Sequence, residues 1–133
     1  PENLMYSGDS ITDKEALEFA HQNGGLGISF NGNIHSIKAA DVAIASDNNL
    51  ILALIAEIFN DGGKDKVYEF INTYHEDPLS AVVENSSDKY ISQQLLLSMP
   101  SIDFITDENT QQLVDKSKIT RNKVRGSKIS NLG

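Results

Sequence analysis

The sequence contains no cysteine, which excludes disulfides and thiolate metal sites. Basic residues are scarce: 11 against 19 acidic ones, for a net charge of −8. Long apolar runs are missing too. The longest, Leu50 to Ile58, is interrupted by Glu57 and is far shorter than the ~20 residues needed to cross a bilayer. The first residues lack the basic and apolar regions of a signal peptide. These absences lead us to expect a cytoplasmic protein with no membrane span.

What is present suffices for one core. The chain has 133 residues, 39% of them apolar, which is above the disordered range. Charge is unevenly placed. Residues 1–115 carry all 19 acids and five bases, while residues 116–133 carry Lys116, Lys118, Arg121, Lys123, Arg125 and Lys128 and no acid. The expected arrangement is a basic tail helix lying on an acidic body, with a phosphate- or partner-binding tail as the alternative. No nucleic-acid partner is expected, because the body would repel a phosphate backbone.

Leu4 to Ser7 reads as a short buried strand ending at Gly8-Asp9. Thr12-Asp13-Lys14-Glu15 has the form of a capping box, with Thr12 as the cap and Glu15 reaching back. The helix it opens has Ala16, Leu17, Phe19 and Ala20 on one face and stops at Asn23-Gly24-Gly25. Leu26 to Phe30 is a second strand, Asn31-Gly32-Asn33 turns into a short helix ending near Ala40, and Asp41 to Ala45 is a third strand. Strands alternating with helices argue for a parallel α/β sheet.

Beyond residue 47 the pattern becomes helical. Asn48 to Phe59 is apolar nearly all round, so its helix should be deeply covered. Asp61-Gly62-Gly63 breaks it, and Val67, Phe70, Ile71 and Tyr74 follow helical spacing up to Pro78. Two further helices are expected near residues 86–98 and 107–127, the last capped by Thr106 or Asp107. Residues 1–47 thus form the sheet-bearing part and residues 48–133 a helical region packed on it.

Gly8-Asp9-Ser10-Ile11-Thr12-Asp13 is the stretch most able to carry chemistry. It sets one carboxylate at the C-terminal end of a strand and another four residues on, in the first turn of a helix. Ligands of open α/β sheets bind outside those strand ends. Two acids there make a hard oxygen site of low ligand count, suited to Mg²⁺ bridged to a phosphate. The competing reading is that Asp13 stabilises the helix start and Asp9 a turn.

The hexapeptide resembles the fourth motif of haloacid-dehalogenase-like (HAD) phosphatases, a glycine-aspartate pair with a second aspartate four residues after the first. Gly25 to Asn31 and then Ile37 to Ile44 are similar to the phosphoserine-phosphatase branch of that family, so the resemblance covers roughly residues 3–47. It implies a Rossmann-like core remnant of about three parallel strands with flanking helices. It also implies Mg²⁺-dependent hydrolysis of a phosphate monoester by the parent protein, acting on a phosphorylated small molecule. Asp9 would ligate Mg²⁺ directly and Asp13 would act behind it or through a water. Ser10, Thr12 and Asn31 would line the loop or touch phosphate, although the branch usually carries asparagine where Thr12 stands. The segment Lys116 to Gly126 resembles the C-terminus of a HAD-like family of methanogenic archaea associated with an energy-converting hydrogenase. Arg125 is read as a surface ion-pair partner, with a reach to the phosphate site as the alternative.

The departures are as informative. The nucleophilic aspartate of such enzymes, the Ser or Thr on a second strand and the Lys ahead of the fourth motif would all precede residue 1. The chain therefore reads as a fragment or one piece of a split protein, inactive alone. The strand carrying Asp9 would leave an unpaired sheet edge, to be covered by the missing N-terminal half, a partner chain or a swap.

Two other readings stand beside this one. In one, the scaffold serves as a non-catalytic accessory or regulatory subunit; against that, a purely structural role would not need both Asp9 and Asp13. Gly8 to Thr12 also resembles the first block of GDS-type esterases, with Ser10 as nucleophile. That family needs an Asp three residues before its histidine, and His21, His35 and His75 are preceded there by Glu18, Gly32 and Asn72.

Overall fold

The computed structural model describes residues 3–132, and side chains over residues 3–126. Four strands form one sheet in the order β1-β2-β3-β4: β1 is Met5–Gly8, β2 Leu26–Phe30, β3 Val42–Ala45 and β4 Ser101–Phe104. The first three run parallel, in registers that set Tyr6 beside Gly27 and Ile28 beside Val42. β4 is antiparallel to β3, with Ile102 beside Ile44. Among the described residues β1 pairs only with β2, so the strand leading to Asp9 is a sheet edge, as the sequence led us to expect.

Alternation along β3 sorts the helices into two layers. Val42 and Ile44 join Leu26 and Ile28 in the main core, against Ile51, Leu54 and Ile55 of α3 (Leu50–Glu76). α4 (Pro78–Asn85) and α5 (Lys89–Leu97) complete that layer through Ala81, Val82 and Leu95. Ala43 faces the other way and meets Ile37 of α2 (Ile34–Ala39) and Leu113 of α6 (Thr110–Leu132). α1 (Lys14–Gln22) lies on the same side, where Gly27 admits the backbone of Leu17. Each fully buried aliphatic side chain contributes about 1.5–3 kcal/mol, so the apolar helix at Leu50 to Phe59 anchors the sheet.

The expected break in α3 falls at Gly63, whose φ of 74° is left-handed, while the chain resumes as helix on both sides. α1 ends as expected, with Gly24 at φ 76° and Gly25 N–H donating to Ala20 O at 2.8 Å. Its start differs. A 3-10 turn over Ile11–Asp13 precedes α1, and Asp13, not Glu15, reaches back to the chain entering it, taking Ser10 N–H at 3.2 Å. Thr12 spends its hydroxyl on Ser10 Oγ at 2.8 Å. Asp13 is held in this place by Tyr6 on β1, which also donates to it.

Two corrections apply to the C-terminal stretch, a strand and a helix that the sequence reading lacked. Ser101–Phe104 is a strand, too short to show a period yet set by Ile102, which is buried against Ile44. Pro78 ends one helix and opens another: it stands at the first position of α4, whose cap Asp77 accepts Ser80 N–H at 3.2 Å. The helix expected near 86–98 is Lys89–Leu97, started by Asp88, which takes Tyr90 N–H at 2.8 Å. Thr106 does help to start α6, through reciprocal hydrogen bonds with Asn109 at 2.8 and 3.2 Å. Residues 3–47 and 48–132 therefore share one sheet, and both contribute to its main core.

Candidate functional site

The C-terminal ends of β1, β2 and β3 bring Asp9, Asn31 and Asp47 to one end of the sheet. Asn33 N–H donates to Asp9 O at 2.9 Å and Asn31 N–H to Ile44 O at 2.8 Å, which ties the three strand ends together. Asn31 is the described non-glycine residue with positive φ, 49°. Its strain is offset because the side-chain amide exchanges two 2.8 Å hydrogen bonds with the backbone of Ser46. Asn31 thus stands at this end of the sheet, with its amide engaged in holding β2 to β3.

Asp13 is held inward. One oxygen takes Asp9 N–H at 2.9 Å and Ser10 N–H at 3.2 Å; the other takes the Tyr6 hydroxyl at 2.8 Å. The Asp9 N–H, followed by the Tyr6 hydroxyl, holds the Asp13 carboxyl below the usual carboxylate range. The same bond raises the Tyr6 hydroxyl. Gly8 is required for this turn, because a Cβ there would lie 2.4 Å from Asp13 Cβ. Asp13 therefore has a structural task of its own. That role accounts for Asp13 without a metal.

Asp9 itself is exposed. It sits where two hollows meet, sharing both with Phe30. One, of about 330 Å³, is lined also by Gly8 and Asp13. The other, of about 440 Å³, is lined by Asn31, Asp47, Arg121 and Arg125 among others. Two carboxylates are as many as the described residues bring together here, since no group of three or more His, Asp or Glu side chains is poised to hold a metal among them. That count fits Mg²⁺, which takes one or two carboxylates and fills its octahedron with water and phosphate oxygens. With Asp13 bound to the turn, Asp9 is the carboxylate of the pair that would be open to such an ion.

Ser10 has its hydroxyl on Thr12, and no hydrogen bond joins it to a histidine among the described residues. The imidazole of His21 faces Asp41 at 2.5 Å and that of His75 faces Ile102 O at 2.6 Å, both away from Ser10.

The basic tail lies on the body as its charge suggested. Lys116 meets Asp103 at 3.1 Å and Lys123 meets Asp47 at 3.4 Å. Arg121 donates to Asn31 O at 3.0 Å. Arg125 was expected in a surface ion pair, yet no carboxylate lies within 4.0 Å of it among the described residues; it faces the larger hollow. The side chain of Lys128 lies outside the described residues. Arg121 was missed as a site residue, since its charge was counted only with the tail.

Among the described residues no helix is long and apolar enough to cross a membrane. No protein-family model matches the sequence, and no curated protein matches it. The solved structure of gene product AF1437 from Archaeoglobus fulgidus is similar to this one, at 28% identity and a TM-score of 0.64 over 90% of this chain. This chain spans 31% of the length of that protein, so what the two share is this α/β unit.

Proposed function

We propose that this chain forms the metal-binding end of a Mg²⁺-dependent phosphate monoester hydrolase of the HAD type, inactive until a further segment supplies the nucleophile. The observation that carries the reading is the place of Asp9: exposed, at the C-terminal end of an edge strand, with Asp13 fixing the turn behind it. A strand added along the free edge of β1 would end beside Asp9, where a nucleophilic aspartate would face the same hollow. Bound Mg²⁺ would supply charge stabilisation for the transferring phosphoryl group. The chain's own part is to hold Asp9 rigidly, through Asp13 and the Asn33 N–H.

A second reading, a non-catalytic accessory subunit on the same scaffold, is favoured by the structural use of Asp13, which leaves one open carboxylate. Calorimetric titration of Mg²⁺ into the chain and its Asp9→Asn variant, with a phosphatase assay on both, separates them. The hydrolase reading expects Mg²⁺ binding that Asp9→Asn abolishes and no turnover by the chain alone. Absence of Mg²⁺ binding favours the accessory reading, and appreciable Mg²⁺-dependent turnover overturns the split site.

A further inference from the structure

The larger hollow has a wall that the motif at Asp9 does not account for. Arg121 and Arg125 stand four residues apart on α6, one turn along the same helix face. Both line the hollow of about 440 Å³ that also holds Asp9. Arg121 is partly buried and is aimed by its bond to Asn31 O, which engages one of its five N–H donors. Asp47, the acid on the rim, is already matched by Lys123 at 3.4 Å and Ser98 Oγ at 2.9 Å. No carboxylate lies within 4.0 Å of either guanidinium among the described residues. Two guanidinium groups thus line one hollow with no carboxylate in ion-pair reach, and among the described residues Asp9 is the other unpaired charge on its wall, in a protein whose net charge is −8.

We infer that Arg121 and Arg125 of α6 form an anion-holding wall that takes the phosphate group of a small phosphate monoester. A guanidinium fork matches the oxygens of a phosphate in two parallel hydrogen bonds. Phe30 and Val124 line the same hollow and offer apolar surface to the organic part of the ester. The volume falls within the range of small-molecule sites, roughly 300–1,000 Å³. The basic tail then has two tasks divided along one helix: Lys116 and Lys123 fasten it to Asp103 and Asp47, and the two arginines face the ligand.

The inference deepens the reading of the previous subsection by naming the residues that receive the phosphate, and its test is separable from the metal test. Inorganic phosphate is titrated calorimetrically, without Mg²⁺ and at low ionic strength, into the chain and into Arg125→Ala, Arg125→Lys and Arg121→Ala. Thermal melts by circular dichroism serve as the fold control. The expected result is saturable binding weakened about tenfold by Arg125→Ala with an unchanged melt, and partly kept by Arg125→Lys, which retains the charge but not the fork. Arg121→Ala should weaken binding as well; should it also lower the melt, the exposed Arg125 still decides the matter. No saturable binding, or binding that Arg125→Ala leaves unchanged, overturns the inference. Phosphate binding that depends on Arg125 in a chain that ignores Mg²⁺ would sink the metal reading and leave the arginine wall standing.

Discussion

Asp13 Oδ2 accepts the backbone N–H of Asp9 at 2.9 Å, so the second carboxylate of the hexapeptide holds the first in place. The spacing of four residues is the spacing at which a side chain on the 3-10 turn Ile11–Asp13 folds back onto the end of β1. Removing that carboxylate should cost about 1–2 kcal/mol, the lower part of the range for hydrogen bonds to a charged group because the site is solvent-screened. Urea denaturation of Asp13→Ala should show this loss.

The same bonds set a pH dependence. The folded-state value of Asp13 lies below its unfolded one, so its contribution is full above the unfolded value of about 3.9 and is lost as pH falls through the folded value. In Tyr6→Phe the Asp13 carboxyl should titrate at higher pH than in the unaltered chain, as followed by carboxyl-carbon NMR. An unmoved titration would show that the Tyr6 hydroxyl does not act on it.

Gly8→Ala places a methyl group 2.4 Å from Asp13 Cβ and Cγ, so the turn must open. We expect the variant to lose more stability than Asp13→Ala. The double variant Gly8→Ala/Asp13→Gly should lose less than the sum of its two single variants, because both clash partners, Asp13 Cβ and Cγ, are gone. A strictly additive double variant would place the cost of Gly8→Ala elsewhere.

At the opposite end of the strands, Asp41 has a side chain only 4% exposed. It accepts Gly27 N–H at 2.8 Å, faces His21 at 2.5 Å and lies 3.5 Å from Lys64, so it joins α1, β2 and α3. Breaking a buried pair typically costs about 3–5 kcal/mol; with His21 mostly exposed, we expect about 2–3 kcal/mol for Asp41→Ala. Chemical denaturation measures it. A loss below about 0.5 kcal/mol, the usual range for surface changes, would show that Asp41 is not a fastening point.

Burial pushes the hydroxyls of Tyr74 and Tyr68 up to about 12, and the charges of Asp41 and Asp65 add to the effect at Tyr68. Unfolding would release both to ionise near 10, so stability should be unchanged below that pH and fall as pH rises from about 10 to about 12. Tyr74 also donates to Pro100 O, which fastens the segment leading into β4. Melting temperatures across alkaline pH should drop more steeply for the unaltered chain than for a Tyr74→Phe/Tyr68→Phe variant.

Much of the fold was legible because its signals are local. Capping residues, glycine stops and apolar periodicity mark α1, both halves of α3 and the first three strands within a few residues. β4 was not legible: four residues with one buried isoleucine carry too little pattern, and its pairing depends on β3, more than fifty residues earlier. α4 was hidden because a proline both stops one helix and opens the next.

The sequence by itself determined that Asp9 and Asp13 lie at the carboxyl end of a strand and that a basic stretch follows an acidic one. Both are matters of spacing and composition along the chain. Only the tertiary structure decided how these groups divide the work. Tyr6, seven residues before Asp13 but beside it once β1 is placed, draws that acid into the fold and leaves Asp9 facing the hollows. α6 crosses back over the sheet and brings Arg121, ninety residues along the chain, to Asn31 O. Side-chain chemistry is written in the sequence, but the direction a charge faces is set by the neighbours that satisfy it, and those are brought together only by folding.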